Sequence, residues 1–207
     1  MMKFYFTPGS CSTGIHILLE EIGLVFEAYV VNLLAGDHQK PDFLAMNPKA
    51  TIPVLVLDDG QVLTEFPAIA YWLARTYPKA KLLPTELAAE VQAIEVISYV
   101  VGTVHGQGFT RIFTTERFTP NVADYGIVKA RGHEIVKECF TVLNEQLAGK
   151  KYVLGDNFSI ADAALFYVEF WAVRINIELP EHCLAHYQQM LSRPVVQQVL
   201  REEGYRY

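Results

Sequence analysis

The chain has 207 residues, enough for one large domain or two small ones with a real core. Hydrophobic residues make up 51% of it, which excludes disorder throughout. There are 17 Lys+Arg against 23 Asp+Glu, a net charge of -6 with no basic block, so the clustered cations that a nucleic-acid partner demands are missing.

Lys3 to Phe6 reads as a short aromatic strand, stopped by Thr7-Pro8-Gly9. Ile15, Leu18, Leu19 and Ile22 then recur at helical spacing, and Gly23 follows as a C-cap glycine would. Phe26 to Val31 is aromatic and β-branched, a second strand. Asn32 to Pro41 is loop-like, and Asp42 to Met46 has the length of a short helical turn. Ile52 to Leu57 and Gln61 to Thr64 form a hairpin about Asp58-Asp59-Gly60. Glu65 to Tyr77 is helical, with Ile69, Trp72 and Leu73 on one face. The order β-α-β-(α)-β-β-α predicts a parallel pair, a hairpin and covering helices: a small α/β layer over residues 1–77.

Residues 78–86 read as a linker from Tyr77-Pro78 to just beyond Pro84, and 87–207 as an all-helical domain. Helices are predicted over Leu87–His105, Asp124–Leu147, Ile160–Val173, Glu181–Leu191 and Pro194–Glu202. Gly106 to Asn121, rich in Gly and Thr, is expected to be irregular or only partly helical. Ser159-Ile160-Ala161-Asp162 has capping-box spacing, with Phe158 as a hydrophobic staple. The helix it opens is apolar on nearly all sides and should be buried.

No apolar run is read as long enough to cross a bilayer, because Glu, Gln, Lys or Gly interrupts each one. The N-terminus lacks a signal-peptide core, and no membrane partner is expected. Three widely spaced cysteines, Cys11, Cys139 and Cys183, argue against a disulfide scaffold or a zinc site and for a reducing cytoplasm.

Cys11 follows a strand and a Pro-Gly turn and stands at the start of the first helix. Free N–H groups and the positive end of the helix dipole there favour a thiolate. The other reading makes Cys11 a small buried hydrophobe, with Ser10 or Ser12 capping the helix. Glu65, where a strand meets a helix, is either an N-terminal helix charge or the receiver of a cationic amine. His105 is placed at a helix end, where it can stabilise the dipole. His16, His38, His133, His182 and His186 are read as sharing no spacing with a Cys or an acid, and no phosphate-loop or dinucleotide motif is present.

Four stretches, in this order, resemble the cytosolic glutathione transferases across essentially the whole chain. They are Phe6-Thr7-Pro8-Gly9-Ser10-Cys11-Ser12, Asn47-Pro48-Lys49-Ala50-Thr51-Ile52-Pro53-Val54-Leu55, Leu63-Thr64-Glu65, and Gly155-Asp156 through Asp162. The first motif is similar to that of the bacterial beta class, which carries a cysteine where Cys11 stands. The resemblance implies a thioredoxin-like N-terminal domain, an all-α C-terminal domain, a homodimer and a cis Ile52-Pro53 bond. It implies glutathione as co-substrate, held by Cys11, Thr51, Ile52, Pro53, Glu65, Phe66 and Ser98. Cys11, Ser12 and His105 take the catalytic roles, and Val104, His105, Phe109, Ile112, Phe113 and Trp171 form the pocket for an apolar electrophile. No metal is expected.

The chain departs from the family pattern at Phe66-Pro67, where Ser or Gly is common after the acid, and at Gly106, where a lysine follows the histidine. The loop Leu33 to Gln39 also lacks the basic residue that in the family would meet the glycyl carboxylate. The expected function is conjugation of the glutathione thiolate to small hydrophobic electrophiles. The alternatives are glutathione-dependent thiol–disulfide exchange or peroxide reduction through Cys11, and a non-catalytic binding protein on the same fold.

Overall fold

The computed structural model describes residues 1–206. They form two compact units: one comprises Met1–Leu83 together with the chain from Leu191 onward, the other Pro84–Met190.

In the first unit, β1 (Met2–Phe6) buries Met2, Phe4 and Phe6 and turns the residues between them outward. It pairs in parallel with β2 (Phe26–Val30) and antiparallel with β3 (Val54–Val56). β3 in turn forms the expected hairpin with β4 (Val62–Thr64), so the sheet order is β2-β1-β3-β4. Between β1 and β2 runs α1 (Ser12–Ile22), whose residues Ile15, Ile17, Leu18 and Leu19 are fully buried. α2 (Pro41–Met46) is short, and α3 (Phe66–Thr76) packs on α1 and buries Phe66, Ile69 and Leu73, while Trp72 stays half-buried.

The second unit is helical: α4 (Leu87–Tyr99), α5 (Thr110–Phe113), α6 (Tyr125–Leu147), α7 (Ile160–Arg174) and α8 (Glu181–Leu191). The capping box at Ser159 and Asp162 forms as expected, and α7 is buried continuously from Ile160 to Ala172. α9 (Pro194–Glu202) belongs to the first unit and lies against α1. Continuous assignment of 87–207 to the helical domain is therefore amended. Val196, Val199 and Leu200 are buried on α9, and Arg193 forms an ion pair with Glu21 of α1.

Two further expectations are corrected. Helicity does not stop at His105: a π-helical segment, Val100–Phe109, joins α4 to α5. Gly108 in it serves close packing against α6, as Gly132 of α6 does in return. A Cβ on Gly108 would lie 2.6 Å from Val136 Cγ2 on α6, and one on Gly132 would lie 2.9 Å from Arg111 Cβ. The resulting helix from Leu87 to Phe113 has 27 residues and is, by length and composition alone, long and apolar enough to cross a membrane. Here it packs along α6 and α7.

Candidate active site

The loop from Thr7 to Cys11 is fixed from two sides. Ser12 donates its hydroxyl to the Thr7 carbonyl at 3.1 Å and accepts the Thr7 N–H at 3.1 Å, and its own N–H donates to Ser10 Oγ at 3.1 Å. From the other side the buried carboxylate of Glu203 accepts the Gly9 N–H and the Thr13 hydroxyl, both at 2.7 Å. Gly9 has φ +70, and a Cβ there would lie 2.0 Å from the Tyr205 hydroxyl, so no other residue fits. The chain's C-terminal segment thus holds the turn that presents Cys11, a role not visible in sequence because Glu203 lies 194 positions from Gly9.

Ser12 is fully buried. With its hydroxyl committed to Thr7 and Ser10, the expected catalytic role for Ser12 is not supported by the geometry. Cys11 is also buried, 8% exposed, and its thiol donates to the Ile52 carbonyl at 3.6 Å. The thiolate expectation is corrected here. Burial pushes the Cys11 thiol up to about 12; the N–H groups of Cys11 and Ser12 pull it down as the helix-start argument required, and the Glu65 carboxylate pushes it up again. Desolvation outweighs the helix terminus, so Cys11 is a neutral hydrogen-bond donor.

Ile52-Pro53 is cis. The loop before it is held by Asn47, fully buried, whose side-chain amide donates to the Thr51 carbonyl at 2.8 Å while its Oδ1 accepts the Lys49 N–H at 3.2 Å. Thr51 itself is exposed, Ile52 half-buried and Pro53 buried. Glu65 sits at the start of α3 with φ 72, a sterically costly value for a residue with a side chain. Its carboxylate meets Lys49 Nζ at 2.7 Å, and the same ammonium donates to Thr64 Oγ1 at 2.7 Å. Phe66 turns its ring into the core, so only its backbone faces the site. Asn47 and Lys49 carried no assigned role from sequence. The signal was their place in the Asn47-Pro48-Lys49 turn, directly ahead of Ile52-Pro53.

In the second unit, His105, Phe109, Phe113, Tyr167 and Trp171 form an aromatic cluster. His105 and Trp171 meet edge-on at 4.8 Å, Phe109 stacks on Phe113 at 5.6 Å, and Phe113 meets Trp171 at 5.4 Å. Burial lowers His105 to about 4, and its Nδ1 lies 3.3 Å from the Tyr167 hydroxyl. It is neutral, which corrects its expected use as a helix-end charge. Val104 and Phe109 are fully buried, and Ile112 leans on Gly132, so of the expected pocket residues Phe113 presents the most surface. Ser98 is exposed, and its hydroxyl donates to the Ile94 carbonyl one turn back. His186, read from sequence as having no acidic partner, donates to Glu169 at 2.8 Å and to Asp162 at 3.1 Å.

A thioredoxin-like layer with a cysteine at its first helix start and a cis proline beside it, together with an all-helical unit, is the architecture of a glutathione transferase. The chain belongs to the glutathione S-transferase family. The family's N-terminal domain model matches residues 9–76 and its C-terminal domain model residues 127–198. Glutathione S-transferase GstA of Escherichia coli O157:H7 is 37% identical over 98% of this chain and 99% of its own length. Among solved structures, a glutathione transferase homologue from Sulfitobacter, with bound glutathione, has a TM-score of 0.90 at 30% identity, covering 98% of each chain. A beta-class glutathione S-transferase from Sphingomonas chungbukensis has a TM-score of 0.84 at 32% identity, also covering 98% of each chain.

Proposed function

We propose that this transferase conjugates the thiolate of glutathione to small apolar electrophiles, with Cys11 as a proton-holding donor to the glutathione sulfur. The observation that carries the reading is the Cys11 thiol at the start of α1, donating to the Ile52 carbonyl beside the cis Ile52-Pro53 bond. A donor beside a second thiol stabilises that thiol's anion and lowers its pKa. A nucleophilic role for Cys11 itself would need the anion that burial opposes, so conjugation is favoured over thiol–disulfide exchange.

The preformed pair of Lys49 and Glu65, each about half exposed, suits the zwitterionic γ-glutamyl end of the tripeptide. Glu65 takes the ammonium, and the carboxylate falls to Lys49 and the first turn of α3. Ile52 supplies backbone hydrogen bonds to the cysteinyl part, in the manner of an added strand. The aromatic group of Phe113, Trp171 and His105 takes the electrophile, whose apolar surface it matches. The chain acts as a homodimer in the cytoplasm; its three free, buried cysteines fit a reducing compartment. Sedimentation at micromolar concentration tests the dimer.

The reading is tested by the pH dependence of conjugation to an aryl halide. The wild type and Cys11→Ser should show a thiolate limb shifted to lower pH than free glutathione, and Cys11→Ala should lose that shift. Mass spectrometry after treatment with oxidised glutathione should find Cys11 uncapped. A mixed disulfide formed selectively at Cys11 would favour the exchange chemistry instead.

A further inference from the structure

On the first unit, away from the Cys11 loop, a surface cavity of about 560 Å³ opens beside α1 and α9, lined among others by Phe6, Phe26, His16, Glu20 and Glu202. His16 and Glu20 are four residues apart and so share one face of α1, a spacing the sequence reading passed over. Glu202 comes from the last residue of α9. One imidazole nitrogen and one carboxylate oxygen from each Glu lie within 4.8 Å of one another.

The surroundings of His16 resemble those of a metal-ligating histidine. Its ring is buried and packed among Phe4, Phe6 and Phe26, at centroid distances of 5.8, 5.3 and 5.8 Å. Nδ1 donates to the buried Glu203 carboxylate at 3.0 Å. This is the carboxylate–histidine pairing that fixes the tautomer and leaves the Nε2 lone pair for a cation. Nε2 lies 3.3 Å from Glu202 Oε2, on the cavity side. Gln198 donates to Glu20 Oε2 at 3.1 Å and to Glu202 Oε1 at 3.0 Å, holding the two like charges near each other.

We propose that His16 Nε2, Glu20 and Glu202 bind a divalent first-row cation, zinc by preference, with its remaining position open to the cavity. One imidazole and two carboxylates are a ligand set suited to zinc with a fourth water ligand. Bonds of about 2.0–2.2 Å need the three atoms to draw in by about 1 Å, which the partly exposed glutamates can supply by rotamer adjustment. Any proton on Nε2 leaves to solvent as the cation enters. The cation would tie α1 to α9, whose neighbour Glu203 holds the Gly9 turn. The His16–Glu20 spacing was the one local signal; Glu202 is legible only in the fold, since it comes from the other end of the chain.

The test uses the full chain, stripped by chelator and titrated with zinc chloride alone, then with cobalt chloride alone, by calorimetry. Bound metal is counted after dialysis. One zinc per chain is expected. Glu20→Gln and Glu202→Gln should each weaken binding at least tenfold, and His133→Gln should leave it unchanged. Zinc should raise the melting temperature of the wild type and not of Glu202→Gln. Nitrogen NMR should show Nε2 of His16 perturbed while Nδ1 keeps its proton. Because His16→Gln replaces a buried ring, the two glutamate variants carry the decision. No bound zinc, or zinc held equally well by both glutamate variants, overturns the proposal and leaves His16 a structural partner of Glu202 and Glu203.

Discussion

Two helix starts, at α7 and α1, are built from similar residues and arranged to opposite ends. At α7, Ser159 Oγ accepts the Ala161 N–H, and Asp162 accepts the N–H and hydroxyl of Ser159, the Val153 N–H and His186 Nε2. Its polar capacity is used up inside the protein. At α1, Cys11 provides no side-chain cap; its thiol donates to the Ile52 carbonyl at 3.6 Å, and the Ser12 N–H goes to Ser10 Oγ. The first start is closed for stability and the second is kept for chemistry. A first residue whose side chain satisfies its helix terminus marks structure, and one whose side chain turns away to a neighbouring loop carbonyl marks a site.

The largest effect should come from opening the closed start. Asp162 is fully buried and accepts four hydrogen bonds, and its removal leaves His186 with one carboxylate fewer. Asp162→Ala should cost about 3–5 kcal/mol, read from the urea midpoint. A loss below about 1 kcal/mol would erase the distinction between the two starts.

Cys11→Ala should do the reverse. The thiol is small, so stability should change by about 1 kcal/mol or less. Conjugation should fall about thirtyfold in kcat/KM, roughly 2 kcal/mol of transition-state stabilisation, and Cys11→Ser should recover most of it through its hydroxyl donor. Near neutral pH, iodoacetamide should label Cys11 no faster than Cys139 or Cys183, since burial raises all three thiols. Rapid selective labelling of Cys11 would restore the thiolate reading.

Glu65→Gln should be smaller again. Both partners of the Lys49–Glu65 pair are about half exposed, so stability should move by less than about 1 kcal/mol. The KM for glutathione should rise about tenfold, with kcat nearly unchanged, because the pair binds the end of the tripeptide remote from sulfur. An unchanged KM would remove Glu65 from the binding site.

What was legible in sequence was local. The capping box at Ser159, the hairpin at Asp58-Asp59-Gly60 and the stop at Gly23 each depend on residues within a few positions. Illegible features depended on distant neighbours. The stretch holding Gly108 read as irregular because sequence does not show that α6 packs against it. The helix-end pull on Cys11 was read with the right sign, but its desolvation comes from residues as far away as Ile52. His186 found Asp162 and Glu169 across 24 and 17 positions, beyond any spacing rule.

The smallest effect separates two histidines of the helical unit by pH. Burial among rings lowers His105 from 6.5 to about 4. Its contribution to stability is full above pH 6.5 and is lost as pH falls toward 4, because the unfolded chain takes up a proton that the folded one refuses. The slope is at most about 1.4 kcal/mol per pH unit. The cluster at α7 behaves oppositely. Burial opposes the charge on His186, yet the carboxylates of Glu169 and Asp162 outweigh it and raise the imidazole. Burial also raises Glu169, against the pull of His186. Both raised groups give their full contribution at low pH and lose it as pH rises, so neither adds to an acid loss. Asp37 and Glu86 are held below the ordinary carboxylate range, by the Lys40 ammonium and by the N–H groups of Ala88 and Ala89 respectively, and lose their share only in stronger acid. Glu169, raised to about 7, gains its contribution as pH falls through the window from pH 6.5 to 5, so only the difference between the wild type and a variant lacking the His105 imidazole reports His105. As pH falls from 7 to 5, the urea midpoint of the wild type should drop relative to that of His105→Phe, which fills the same aromatic cage without titrating. Equal slopes in the two proteins would place any pH dependence in this window outside His105.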